Sequence, residues 1–342
     1  MFEGLSLTII IIIFIALFYD FVNGWNDAAN SVATVISTKV LTPLQAVGLA
    51  ALMNFIAFLI VPPAVAATVG KGIVDVKIVT PTMILAGIIS SIFWGVVMTY
   101  LGLPISMSHT LIGGLIGAGI ARGFEVGRGF DVLIMSGIVK VVGFLILAPI
   151  IGLIFTVIFA VILFRSIRKF RPSIIHKVFG KLQLISVSWY SIGHGSNDAL
   201  KTAGIITALL ISVNYISKGD PTPGWVILSA YVAIALGTLI GGWRVIKTVG
   251  MRITHLRPVD GFCAESGGGL LLMITALLGI PVSTTHTITG AIMGIGATKR
   301  IRGVRWGVTR SIIAAWITTI PVTAIGGFLI YKVFNLLNIV IA

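Results

Sequence analysis

Four short segments hold the residue types and spacings best suited to chemistry in this chain. Residues Asn23–Ser31 read NGWNDAANS and His194–Thr202 read HGSNDALKT, so that Asp27 and Asp198 each follow an asparagine, Asn26 or Asn197, inside an apolar stretch. An ionised carboxylate at the centre of a membrane helix costs about 2.5–3.5 kcal/mol even on lenient insertion scales, so something must offset it. A hard cation would do so, held by Asp27 or Asp198, by the amides of Asn26 and Asn197, with Asn23 and Asn30 nearby, and by opened backbone carbonyls. The plainer alternative is that each aspartate only caps the half-helix that follows it.

The other pair reads PISMSHT over Pro104–Thr110 and PVSTTHT over Pro281–Thr287. Proline followed by hydroxyls marks a helix start, and two well-capped helices with no ligand would satisfy the pattern. Two such N-termini buried together would instead present free N–H groups and partial positive charge, which suits a tetrahedral oxyanion. The candidate anion ligands are Ser106, Ser108, His109 and Thr110, their counterparts Ser283, Thr285, His286 and Thr287, and the amides of Asn26 and Asn197. Glu265, inside an apolar Gly-rich run, is a further cation-side candidate. Lys201 either neutralises Asp198, attracts substrate or snorkels to an interface. Asp20 and Gln183 are cation ligands or boundary residues.

The elements that must position these groups follow from composition. Of 342 residues 57% are hydrophobic and 10% charged, with a mean hydropathy of +1.10. Apolar runs of about 20 residues succeed one another, which excludes a cytosolic enzyme and predicts an all-α polytopic membrane protein. The formal charge of +14 is then a matter of topology, and no nucleic-acid partner is expected. Asp27 and Asp198 stand 171 positions apart, half the chain, and Gly102–Ile120 aligns without a gap on Gly279–Ala297, placing His109 and His286 177 apart. A weaker match sets Ala67–Ile73 against Lys247–Ile253. The chain is therefore duplicated.

Basic residues orient the copies. Arg165, Arg168, Lys169, Arg171, Lys177 and Lys181 mark a cytoplasmic central segment, and the basic loops around Arg244–Arg257 and Lys299–Arg310 face nearly neutral equivalents. This predicts two inverted-topology repeats, residues 1–164 and 182–342, joined by a basic cytoplasmic linker at 165–181, around a midplane site. Expected spans are 5–38, broken at Asn23–Asp27, and 182–217, broken at His194–Asp198. Others are expected at 43–68, 81–101, 132–164, 225–248 and 309–338, with 104–120 and 281–297 as re-entrant half-helices. The first run lacks the basic start of a cleaved signal peptide and is expected to stay in the membrane.

Several functions are disfavoured. Cys263 is the one cysteine, so no internal disulfide or thiolate cluster can form. No GxxxxGK[ST] motif supports a nucleotide-driven motor. A Ser/His/Asp hydrolase conflicts with the duplication, because a nucleophilic site is asymmetric. The glycines of 113–117 and 290–296 read as helix-packing positions.

At these motifs the chain resembles the inorganic phosphate transporter (PiT) family. The family's GANDVANA signature is similar to residues 24–31 and 195–202, and its PIS-x-[ST]-H and PVSTTH motifs resemble the Pro104 and Pro281 segments. Trp25, Lys201 and Thr202 depart from it. The resemblance implies symport of orthophosphate with Na+, or in some bacterial members with H+ or as a metal–phosphate complex, and roles for Asp27, Asp198 and Glu265. The residues alone give an oxyanion, so a sulfate permease on the same scaffold and an anion channel stay open. The expectation is a non-enzymatic symporter with no covalent cofactor, working by alternating access in the cell membrane. Na+ would sit at Asp27, Asn26, Asp198 and Asn197, and the chain could form a homodimer.

Overall fold

Hydroxyl and proline residues start many of the helices. Thr42 and Gln45 cap one another reciprocally ahead of Pro43, and Thr80 accepts the Met83 N–H ahead of Pro81. The computed structural model describes residues 4–63, 65–66 and 73–339. In chain order its helices are α1 (Leu7–Ser37), α2 (Pro43–Ile60), α3 (Pro81–Leu101), α4 (Met107–Glu125), α5 (Met135–Ile167) and α6 (Pro172–Ser212). They continue as α7 (Gly224–Ile240), α8 (Trp243–Lys247), α9 (Pro258–Leu277), α10 (Thr284–Lys299) and α11 (Trp306–Leu336). The chain is a multi-pass membrane protein. Among the described residues α1, α2, α3, α5 and α11 are long and apolar enough to cross a bilayer, and α7 together with the bent segment Trp243–Arg252 reaches the same length and apolarity as a pair, a broken span or a re-entrant loop. Their outer faces stay apolar. On α5 the exposed Ile146, Ile150, Ile154, Ile158 and Ile162 form one stripe at a four-residue repeat.

The duplication is visible in the packing. The helix α1 lies on α7, and its counterpart α6 lies on α2; α4 lies on α11, and its counterpart α10 lies on α5. Each copy therefore completes the other around a pseudo-two-fold axis. The α3–α4 and α9–α10 hairpins turn at Gly102 and Gly279, equivalent positions with φ of 72° and 66° that favour glycine. Their tips meet inside the protein: the Thr285 hydroxyl of one donates to the Ile105 carbonyl of the other at 3.1 Å.

The two polar motifs do not open the backbone. Both α1 and α6 run unbroken through Asn23–Asp27 and His194–Asp198, contrary to the interruptions expected there. Gly24 and Gly195 explain the difference. They are contact points, since a Cβ at Gly24 would strike the Ile234 carbonyl and one at Gly195 the Asn54 backbone. Glycine here permits close helix crossing, and the helices keep their hydrogen bonds. Their excess length, about 46 Å for the 31 residues of α1, exceeds the hydrocarbon core and requires tilt or projection beyond it. The break occurs between α7 and α8, at Gly241–Gly242, where the chain bends by 65°.

A helix absent from the expected spans, α9, carries Glu265, its apolar content diluted by glycines and by Asp260. The basic segment 165–181 is largely helical, since α5 ends at Ile167 and α6 begins at Pro172. Of the weaker repeat match, Ala67–Lys71 and Gly72 lie outside the described residues, as does the end of the expected 43–68 span.

Candidate functional site

The site is built where the two hairpin tips meet the middles of α1 and α6. Ser106 caps α4 by accepting the His109 N–H at 3.4 Å, and Ser283 caps α10 by accepting the His286 N–H at 3.2 Å. The two imidazoles lie with ring centres 4.9 Å apart, and Trp316 of α11 packs 3.8 Å from the His286 ring while donating to the Pro104 carbonyl at 2.9 Å. The predicted convergence of two helix N-termini is therefore present, with both histidines buried.

Against these tips stand the aspartates. Thr285 donates to Asp27 at 3.3 Å, and Thr284 contacts both Asp27 at 3.3 Å and Asp198 at 3.1 Å. Asp27, His194 and Asp198 each offer a ligand atom, all within 4.8 Å of one another. Two carboxylates so close in an interior with little water repel strongly unless a cation lies between them or beside them. Lys201 supplies one, its Nζ 2.7 Å from Asp198 Oδ1, while His194 Nε2 is 3.4 Å from Oδ2. Of the three roles open to Lys201 in the sequence, neutralising Asp198 is the one the geometry shows.

The asparagines divide their two ends. Asn30 donates to Thr284 and Thr285 at 3.3 and 3.0 Å. Asn26 donates to Thr99 on α3 at 2.5 Å, and Asn197 donates to the Gly193 and Leu272 carbonyls at 3.0 and 2.9 Å. In all three the Oδ1 atom is buried and accepts no hydrogen bond among the described residues. What they leave available are oxygens, suited to a cation and unsuited to a phosphate oxygen. One turn nearer the N-terminus of α1, Asn23 donates to Asp20 at 3.3 Å. The hydroxyls of Thr110 and Thr287 turn back to the Met107 and Ser283 carbonyls, whereas Ser108 faces Lys201 at 2.7 Å.

Glu265 stands in a separate cluster, accepting from Thr34 at 2.5 Å, from Gln183 at 2.9 Å and from Ser186. It makes no hydrogen bond to Asp27 or Asp198. A cavity of about 500 Å³ reaches the tips, touching Ser108, His109, Lys201 and Ser283, with Lys140 of α5 also on its wall.

The sequence model of the phosphate transporter family matches residues 23–174 and again 170–327, one match for each copy. The chain belongs to this family. Among relatives, a probable low-affinity inorganic phosphate transporter of Rhizobium meliloti (strain 1021) is 47% identical over 320 residues, covering 94% of each chain. One of Bacillus subtilis (strain 168) is 38% identical over 335 residues, covering 97% of this chain and 98% of the relative. A solved structure, the sodium-dependent phosphate transporter, has the same fold, with a TM-score of 0.86 at 22% identity over 97% of this chain and all of that one. As a member of a transporter family the chain is not an enzyme.

Two residues of this family member went unnoticed in the sequence. Tyr19 donates to the Met107 carbonyl at 2.7 Å and Tyr190 to the Thr284 carbonyl at 3.0 Å. They are 171 apart and their acceptors 177 apart, the same offsets as the motifs, so each tyrosine anchors the first turn of its own copy's hairpin helix. Carrying the Asp27-to-Asp198 alignment a few residues upstream would have paired them.

Proposed function

We propose that the chain is a symporter of inorganic phosphate, driven by an inward Na+ or H+ gradient and working by alternating access. The observation that carries this reading is the meeting of the two capped N-termini at Ser106 and Ser283 beside Asp27 and Asp198. Hydrogen phosphate is bound at the tips, near Ser106, Ser108, His109, Ser283, Thr285 and His286, where N–H groups and helix dipoles favour an oxyanion. The coupling cation is bound at Asp27, with the unpartnered oxygens of Asn26 and Asn30 at hand. Phosphate is a dianion near neutral pH, and a cation entering beside it lowers the cost of carrying that charge through a low-dielectric interior. The cavity beside the tips serves as the access route on one side, with Lys140 drawing anions toward it.

The cytoplasmic placement of the basic segment 165–181 follows from its charge and belongs to this proposal. The test is uptake of radiolabelled phosphate by the purified protein in vesicles, with Na+ and proton gradients imposed separately. Saturable accumulation driven by either gradient is expected, and excess sulfate should compete poorly. Uptake that follows only the phosphate gradient would indicate a channel, and preferential sulfate uptake would replace the substrate.

A further inference from the structure

The two copies treat their aspartates differently, and the difference is a charge. The Lys201 ammonium makes three contacts at 2.7 Å, to Asp198 Oδ1, to Ser108 Oγ and to the Val282 carbonyl. A carboxylate, a hydroxyl and a backbone carbonyl are the oxygens a hard monovalent cation takes. The first copy holds the same set by alignment: Asp27 for Asp198, Thr285 for Ser108 and Ile105 for Val282. There the Thr285 hydroxyl lies 3.3 Å from the Asp27 carboxylate and 3.1 Å from the Ile105 carbonyl. The residue equivalent to Lys201 is Asn30, an uncharged amide whose Oδ1 is buried without a partner.

We infer that the Lys201 ammonium is a tethered replacement for one coupling cation, so that the Asp198 copy is permanently filled and the Asp27 copy alone takes its cation from solution. Local charge agrees with this. Two carboxylates and one ammonium leave a single negative charge, which one dissolved cation neutralises. The tethered charge crosses no membrane with the substrate and returns with the protein, so it contributes nothing to the driving force. Transport by this chain therefore uses one dissolved cation fewer than a version with amides in both copies. Resting on the transporter reading, the inference deepens it.

The test replaces Lys201 with the residue of the other copy, Lys201→Asn. Phosphate uptake by this variant in vesicles should be about tenfold below that of the unsubstituted chain in low-Na+ choline medium, where Asp198 is left unpaired, and recover as Na+ is raised. Its dependence on Na+ should be steeper than that of the unsubstituted chain by about one ion. A readout that needs no phosphate accompanies it: added Na+ should raise the Tm of detergent-purified Lys201→Asn more than that of the unsubstituted protein. Should the variant fold poorly, Na+ during purification should restore its yield, because a dissolved cation takes the vacated place. Unchanged Na+ dependence together with equal Tm shifts would overturn the inference, as would poor recovery alike with and without Na+. If the unsubstituted chain moves no phosphate but the Tm shifts differ as stated, the substrate is wrong and the tethered cation stands.

Discussion

At the residue scale the aspartates carry the heaviest demand. Asp27→Asn removes the charge that holds the dissolved cation but keeps the shape, so coupled phosphate uptake in vesicles should fall by about a hundredfold with folded yield unchanged. Asp198→Asn should abolish coupled uptake as well, since it leaves Lys201 buried beside two neutral acceptors. Undiminished Na+- or H+-driven uptake in either variant would remove these residues from the mechanism. The tyrosine anchors call for a milder test. Tyr190→Phe removes the second donor to the Thr284 carbonyl, which keeps its helical one, and should cost about 1 kcal/mol, read as a lower Tm in detergent. Asp27 and Asp198, the Ser106 and Ser283 caps, and His109 and His286 were legible in sequence because charge is rare in apolar runs and because each has a twin; Glu265 and His194 have none. The direction of each amide was not legible, since the Asn197 amide nitrogen is shared between Gly193, one turn back, and the Leu272 carbonyl, 75 positions away.

At the scale of elements, the breaks expected at the two polar motifs failed. Polar residues inside apolar stretches too long for one straight span suggested backbone breaks, yet both helices run through and use the missing side chains of Gly24 and Gly195 for close contact. A local sequence contains the glycine but not the helix that crosses it, so the two outcomes look alike until packing is known. The expected hairpin turns at Gly102 and Gly279 hold, because proline two residues later and a hydroxyl cap define a helix start locally. The same contrast gives a paired prediction. Gly117 abuts the Ala324 backbone on α11, so Gly117→Ala should cost about 1–3 kcal/mol. Gly143 on α5 has open space at its Cβ, so Gly143→Ala should be neutral or stabilising by up to about 1 kcal/mol. Thermal unfolding in one detergent measures both.

At the scale of the whole molecule, loop charges tie the membrane helices together at their ends. Asp75 accepts from Arg128 at 2.8 Å, joining the segment before α3 to the loop after α4. The Arg128 hydrogen bond, then the Lys77 backbone N–H, hold the Asp75 carboxyl below its ordinary range. A carboxylate depressed in the folded state adds stability above its unfolded value, near 3.9, and that stability is lost as pH falls through the lower folded value. The pair is partly exposed, so Asp75→Asn should cost less than about 1 kcal/mol at pH 7 and flatten the acid side of a Tm-against-pH curve. An unaltered acid limb would show that the pair contributes nothing.

Because α4 rests on α11 and α1 rests on α7, the chain cannot finish its first half before its second is made. During synthesis the Ser106 hairpin must wait at the ribosome-bound stage for a partner that is translated last, shielded meanwhile by lipid, by the insertion machinery or by early neighbours. Truncation ahead of Trp306 should therefore leave a protease-sensitive α4, and supplying residues 306–339 as a separate peptide should restore its protection.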